Sequence, residues 1–165
     1  MAYKFGVDES VATAIVRCGR EQLDRAVSEL SEGIGEDPVK AIHDARKAIK
    51  KERSLLRLAR GAMPARQRRR ENAALREAAR RLSGARDADV MIASVEALSE
   101  RFSGQLPATT FDSIREHLES RRPSGSGSLL DARAVQDLGS VRVRVEDWEI
   151  TKDGWKALDA GLRRS

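Results

Sequence analysis

Aromatic residues make up only 4% of the 165-residue chain, so Leu, Ala, Ile and Val must fill its core. Charged residues reach 35%, and Arg and Glu alternating with small aliphatics is the composition of amphipathic helices. An all-α fold is expected. A single cysteine, Cys18, excludes an internal disulfide framework and a cysteine-rich zinc site, and fits a reducing, cytoplasmic compartment. No apolar run approaches the ~20 residues of a membrane helix. The N-terminal MAYKFGVDES lacks the basic-then-apolar pattern of a signal peptide, so no membrane partner or export is expected.

The chemistry of sites is equally sparse. The two histidines, His43 and His117, fall on different expected helices with no cysteine or paired carboxylate at ligand spacing, so no metal site is expected. Asp44, Glu52 and Glu77 do not form the compact acidic set that would hold magnesium for phosphoryl transfer, and no glycine-rich phosphate loop occurs. No cofactor and no catalytic residue are expected; the chain reads as a binding protein rather than an enzyme.

What the chain does have is basic charge, placed unevenly. Lys40–Arg86 carries 16 Lys plus Arg against 4 Asp plus Glu, while the remaining residues carry 15 against 22. Such segregation raises the local concentration of anionic ligands. The length suits one domain, or one half of a larger symmetrical fold.

Apolar spacing predicts helix one over residues 9–32, with Ser10 as its cap and Val11, Ile15, Cys18, Leu23, Ala26, Val27 and Leu30 inward. Gly33, Gly35, Asp37 and Pro38 end it, and helix two follows from Val39 to Arg60. Gly61 and Pro64 separate it from helix three, Arg66 to Leu82, whose inward residues are Ala74, Leu75, Ala78, Ala79 and Leu82. Ser83–Gly84 is expected to be a joint before helix four, Asp87 to Phe102, with Val90, Met91, Val95 and Leu98 as its apolar stripe. Arg86–Asp87 reads as an orienting or capping device at that helix start.

Helix five is expected from Phe111 to Arg121, completing a helical, basic bundle over 1–122. The stretch PSGSGS, 123–128, has the composition of a flexible linker, and 129–165 forms a C-terminal segment. In that segment Leu129 to Leu138 suggests a short helix. Val141, Val143 and Val145 alternate with Arg142 and Arg144 in a strand-like pattern, out of place in a helical protein. Trp155, Leu158 and Leu162 mark a final helix.

Helix two carries the sharpest signal. At about 100° per residue, His43, Arg46, Lys47, Lys50, Arg53, Arg57 and Arg60 fall within an arc of roughly 140°. Ala41, Ala45, Ala48, Leu55, Leu56 and Ala59 occupy the other side. Helix three repeats the pattern with Arg69, Arg76 and Arg80. A solvated surface is the ordinary explanation of a charge run, but an exposed helix usually mixes Glu with Lys. Like charges at this spacing repel by a few tenths of a kcal/mol per pair, which a bound anion relieves.

The segment HDARKAIKKERSLLRL resembles the signature helix of CHAD, the conserved histidine α-helical domain, and LSGARDADV is similar to that family's second landmark. The likeness runs in order over residues 3–165, from YKFGVDES to DGWKALDAGLRRS. It implies two similar four-helix halves around a basic channel and binding of inorganic polyphosphate, often near polyphosphate granules. By match to the motif the anion-binding positions are His43, Arg46, Lys50, Lys51 and Arg53. The full basic set adds Lys47, Arg57, Arg69, Arg76 and Arg80. Lys50 and Lys51 stand where the family commonly has arginine, which keeps charge but gives up the bidentate grip.

Only one histidine-containing basic helix is present. The expectation is a four-helix-bundle-like half of the domain, the second half being absent, so that the chain is a fragment or restores the symmetry as a homodimer. His43 has two compatible roles, hydrogen bonding within a helix interface and contact with phosphate. Nucleic acid, RNA or DNA, is the rival ligand, since its backbone would also meet a row of cations. Base stacking argues against it, because Lys40–Arg86 contains no aromatic residue.

Overall fold

The computed structural model describes residues 4–102, 105, 107–121 and 126–163, with the backbone alone at 34, 84–90, 93, 108, 121 and 126–131. Six α-helices follow one another: α1 (Val11–Ser31), α2 (Pro38–Leu58), α3 (Ala65–Arg101), α4 (Ala108–Arg121), α5 (Ser126–Val145) and α6 (Trp155–Leu162). Short 3₁₀ turns at Gly33–Gly35 and Ala59–Gly61 flank α2. The described residues contain no strand.

Local chemistry sets the ends of the first two helices. Ser10 Oγ accepts from the Thr13 amide at 3.0 Å, and Asp37 Oδ1 accepts from the Lys40 amide at 3.0 Å with Pro38 in the first turn. Asp153 adds to the α1 start from far along the chain by accepting from the Ala12 amide at 3.1 Å. Backbone N–H groups of Gly154, Ala12 and Val11 hold its carboxyl below the usual range.

One core joins α1, α2, the first half of α3, the second half of α5 and α6. Ile15, Leu23, Ile49, Leu55, Leu75, Leu82, Leu138 and Leu158 belong to it. Glycines let the helices approach closely. A Cβ at Gly19 would lie 3.0 Å from both Trp148 Cζ3 and Val145 Cγ2. At Gly161 it would lie 2.2 Å from the Leu58 carbonyl oxygen, so only glycine lets α6 rest on the end of α2. The chain between α5 and α6 is tied back by Gln67, which donates to the Asp147 carbonyl at 3.0 Å and accepts from the Glu149 amide at 3.1 Å. The Thr151 amide adds a bond to the Ala62 carbonyl at 2.7 Å.

The expected joint at Ser83–Gly84 is not a break. The backbone runs as one 37-residue helix through it. Ser83 Oγ bonds back to the Ala79 carbonyl at 2.9 Å, and a lone glycine costs a helix only about 1 kcal/mol. Asp87 therefore starts no helix, and the side chains of Arg86 and Asp87 lie outside the described residues. The expected apolar stripe of helix four is only partly covered, with Met91 51% and Leu98 47% exposed. Val90 lies outside the described side chains.

The valine alternation is helical as well. Ala134, Leu138, Val141 and Val145 share the buried face of α5, whereas Val143 is 67% exposed. Three valines two apart cannot share one helix face, and the intervening Arg142 and Arg144 reach acidic partners on α1 and α3. The expected short helix and strand are thus one element. Its backbone begins at Ser126, inside the expected linker, while residues 123–125 of that stretch are outside the described residues.

Candidate anion-binding groove

Both faces of α2 are used. Ala41, Ile42, Ala45, Ala48, Ile49, Glu52, Leu55 and Leu56 are buried. The opposite face borders a groove of about 670 Å³ against α3, lined by His43, Arg46, Lys47, Ile49, Lys50, Arg53, Arg57, Asn72 and Ala79. Six cationic or titratable side chains thus line one wall, and no acidic residue is among the described lining.

Three hydrogen bonds order the groove. Arg53 Nε donates to Asn72 Oδ1 at 3.0 Å, joining α2 to α3. Arg57 Nη2 donates to Ser54 Oγ at 2.8 Å, and Ser54 Oγ donates in turn to the Lys50 carbonyl at 3.0 Å. Arg46 differs, because its Nη1 is buried and has no hydrogen-bond partner among the described residues. A buried charged donor left unpaired is costly to the fold.

The other expected positions lie outside this lining. Lys51, half-buried, is about 100° round α2 from Lys50. Arg69, Arg76 and Arg80 are exposed on α3. Arg76 stands about 40° and Arg69 about 60° round the helix from Asn72, which places them towards the groove rim. Arg80 is engaged bidentately by Glu77, at 2.7 and 2.9 Å. Past the end of α2 the positive field continues. Burial, together with Arg60 and Arg69, pulls the Arg68 guanidinium below its usual range.

Asn72, Ser54, Ile49 and Ala79 were not among the residues marked by charge. Asn72 had a faint signal, as the one uncharged polar residue in the run from Arg66 to Arg81 after Gln67. Its role depends on which residue of α2 faces it.

A family model described as CHAD domain matches residues 17–165. The chain belongs to the CHAD domain family. No curated protein and no solved structure matched it. The CHAD family is associated with polyphosphate binding, and the groove is formed by the helix that carries the CHAD signature.

Two acids, Glu71 on α3 and Glu52 on α2, are fully buried. Glu71 accepts from Arg144 Nη2 at 2.8 Å and from Arg70 Nε at 2.8 Å, which joins α3 to α5. Glu52, on the core side of α2, has neither carboxyl oxygen bonded among the described residues. Burial pushes its pKa well above the ordinary 4.5. Among the described residues no three His, Cys, Asp or Glu side chains gather closely enough to hold a metal ion, and no helix is long and apolar enough to cross a membrane.

Proposed function

We propose that the α2–α3 groove binds inorganic polyphosphate, without turning it over, in the cytoplasm and at polyphosphate granules. The observation that carries this reading is a groove walled by His43, Arg46, Lys47, Lys50, Arg53 and Arg57, with no carboxylate among its described lining residues. Repeated weak phosphate contacts along one chain act together, so long polyphosphate should bind far more tightly than orthophosphate or ATP. Lys51, Arg69 and Arg76 extend the same field outside the groove, while Arg80 would join it only on release from Glu77.

Nucleic acid is the second reading, favoured by the same row of cations. Among the described residues the groove lining offers no aromatic side chain on which a base would stack. Competition between long-chain polyphosphate and DNA at matched phosphate and salt separates the two. Polyphosphate should win, and its chain length should stay constant with Mg²⁺ present. Tighter DNA binding would favour nucleic acid, and release of orthophosphate that depends on helix-two residues would make the chain an enzyme.

The reading extends to a two-fold homodimer. On α6, Leu158 is buried while Trp155 is 79% and Leu162 51% exposed, which leaves an apolar surface beside the core. A two-fold pairing would use one such patch on both copies.

A further inference from the structure

The groove arginines that are held within the described residues are held by neutral groups. Arg53 bonds to the amide of Asn72 and Arg57 to the hydroxyl of Ser54. Elsewhere on α3 and α5 the arginine partners are carboxylates: Arg80 meets Glu77, Arg81 meets Asp137, and Arg144 meets Glu71. No ion pair among the described residues engages a cation of the groove lining.

We propose that Asn72 is the positioning residue of the groove, fixing Arg53 across the α2–α3 seam through a neutral acceptor that leaves its charge intact for an anionic ligand. This inference rests on the polyphosphate reading of the groove. A guanidinium only donates, so the amide oxygen of Asn72 must face Nε. With Nε tied, the two Nη groups remain as the fork that meets a phosphate. Tying the side chain beforehand also reduces the rotamer freedom lost on binding. A carboxylate at position 72 would hold Arg53 as well, yet it would cancel the charge the ligand needs and place an anion in the groove.

The role separates geometry from charge, and substitutions can do the same. Long-chain polyphosphate binding is measured across a salt series for the wild type, Asn72→Ala, Asn72→Ser and Asn72→Asp, and for Asn72→Ala combined with Arg53→Ala. Thermal unfolding checks that each variant is folded. Asn72→Ala should weaken binding about fivefold with little change in salt slope, as expected when ordering is lost but charge is kept. Asn72→Ser, which keeps a shorter acceptor, should fall between the alanine variant and the wild type.

Asn72→Asp should weaken binding on the order of thirtyfold and lower the slope by about 0.7, the loss of one single-strand phosphate contact. With Arg53 already replaced, Asn72→Ala should add less than about twofold, since the two act through one bond. An aspartate variant that binds no worse than the alanine variant overturns the proposal. So does an alanine variant that keeps its full effect without Arg53. A wild-type chain with no salt-dependent polyphosphate binding would instead remove the functional reading beneath it.

Discussion

On the α1–α5 side of the molecule, Arg142 reaches Asp24 at 2.7 Å, Arg20 reaches Glu146 at 3.5 Å and Arg25 reaches Glu29 at 3.7 Å. Arg17 hydrogen-bonds Glu9 and draws its carboxyl down to about 2. Along the groove the same residue types line up with no acidic partner among the described residues. Exposed pairs such as Arg20–Glu146 contribute at most about 1 kcal/mol each and keep cations from repelling one another. The groove gives up that relief. The difference between a cation paired within the fold and one left without an acidic partner therefore lies in its neighbours, not in its type.

Removing cations from each side is the strongest way to break this comparison. Arg46→Ala with Arg53→Ala should reduce long-chain polyphosphate affinity on the order of a hundredfold, the loss of about 3 kcal/mol in charge-assisted bonds. Arg20→Ala with Arg142→Ala, an equal change in net charge, should cost less than about threefold. Calorimetric titration at fixed salt decides the matter. Equal losses would mean that binding is diffuse electrostatics and that the groove has no special standing.

A smaller effect tests the two faces of α2 against each other. Burial raises the pKa of Glu52, so the folded chain keeps a proton there that the unfolded chain releases above about 4.5. Its contribution to stability is therefore fully present below 4.5 and is lost as the pH rises through the raised folded value. Glu52→Gln cannot ionise and should flatten that part of the stability profile, with polyphosphate affinity unchanged, as chemical denaturation from pH 4 upward would show. An unchanged pH profile would place Glu52 in contact with solvent or with a cation.

The mildest change concerns the apolar surface of α6, away from the groove lining. Sedimentation at several concentrations should show a dimer that polyphosphate strengthens by linkage. Trp155→Ser with Leu162→Ser should weaken that association by about tenfold, the loss of some 1.4 kcal/mol of apolar contact. A compact monomer that persists at high concentration with the polyanion present would mean that one copy binds alone.

Much of the fold was legible because periodicity and capping are local. Ser10, Asp37 and Pro38 mark the starts of α1 and α2 in sequence and in space, and the alanine and leucine stripe of α2 is its buried face. The misreadings came where a local cue competed with packing. Ser83–Gly84 looks like a joint by composition, yet no proline enforces one. The valine alternation of 141–145 reads as a strand until Leu138 and Ala134 extend its buried stripe at helical spacing. Charge alone did not separate the residues that line the groove from Lys51, Arg69, Arg76 and Arg80 outside it, since helix arithmetic orders residues round one axis without saying which neighbour that axis meets.

By itself the sequence determined an all-α protein, the helix that carries its cationic stripe, and family membership through the residues around His43, because these follow from spacing along one chain. Only the tertiary structure decided that α3 supplies the second wall of the groove, that Asn72 holds Arg53 there, and that Glu52 and Glu71 are fully buried. Those facts depend on contacts between residues far apart in the chain. Whether a carboxylate pairs with an arginine depends on what stands a few ångströms away, and packing sets that distance.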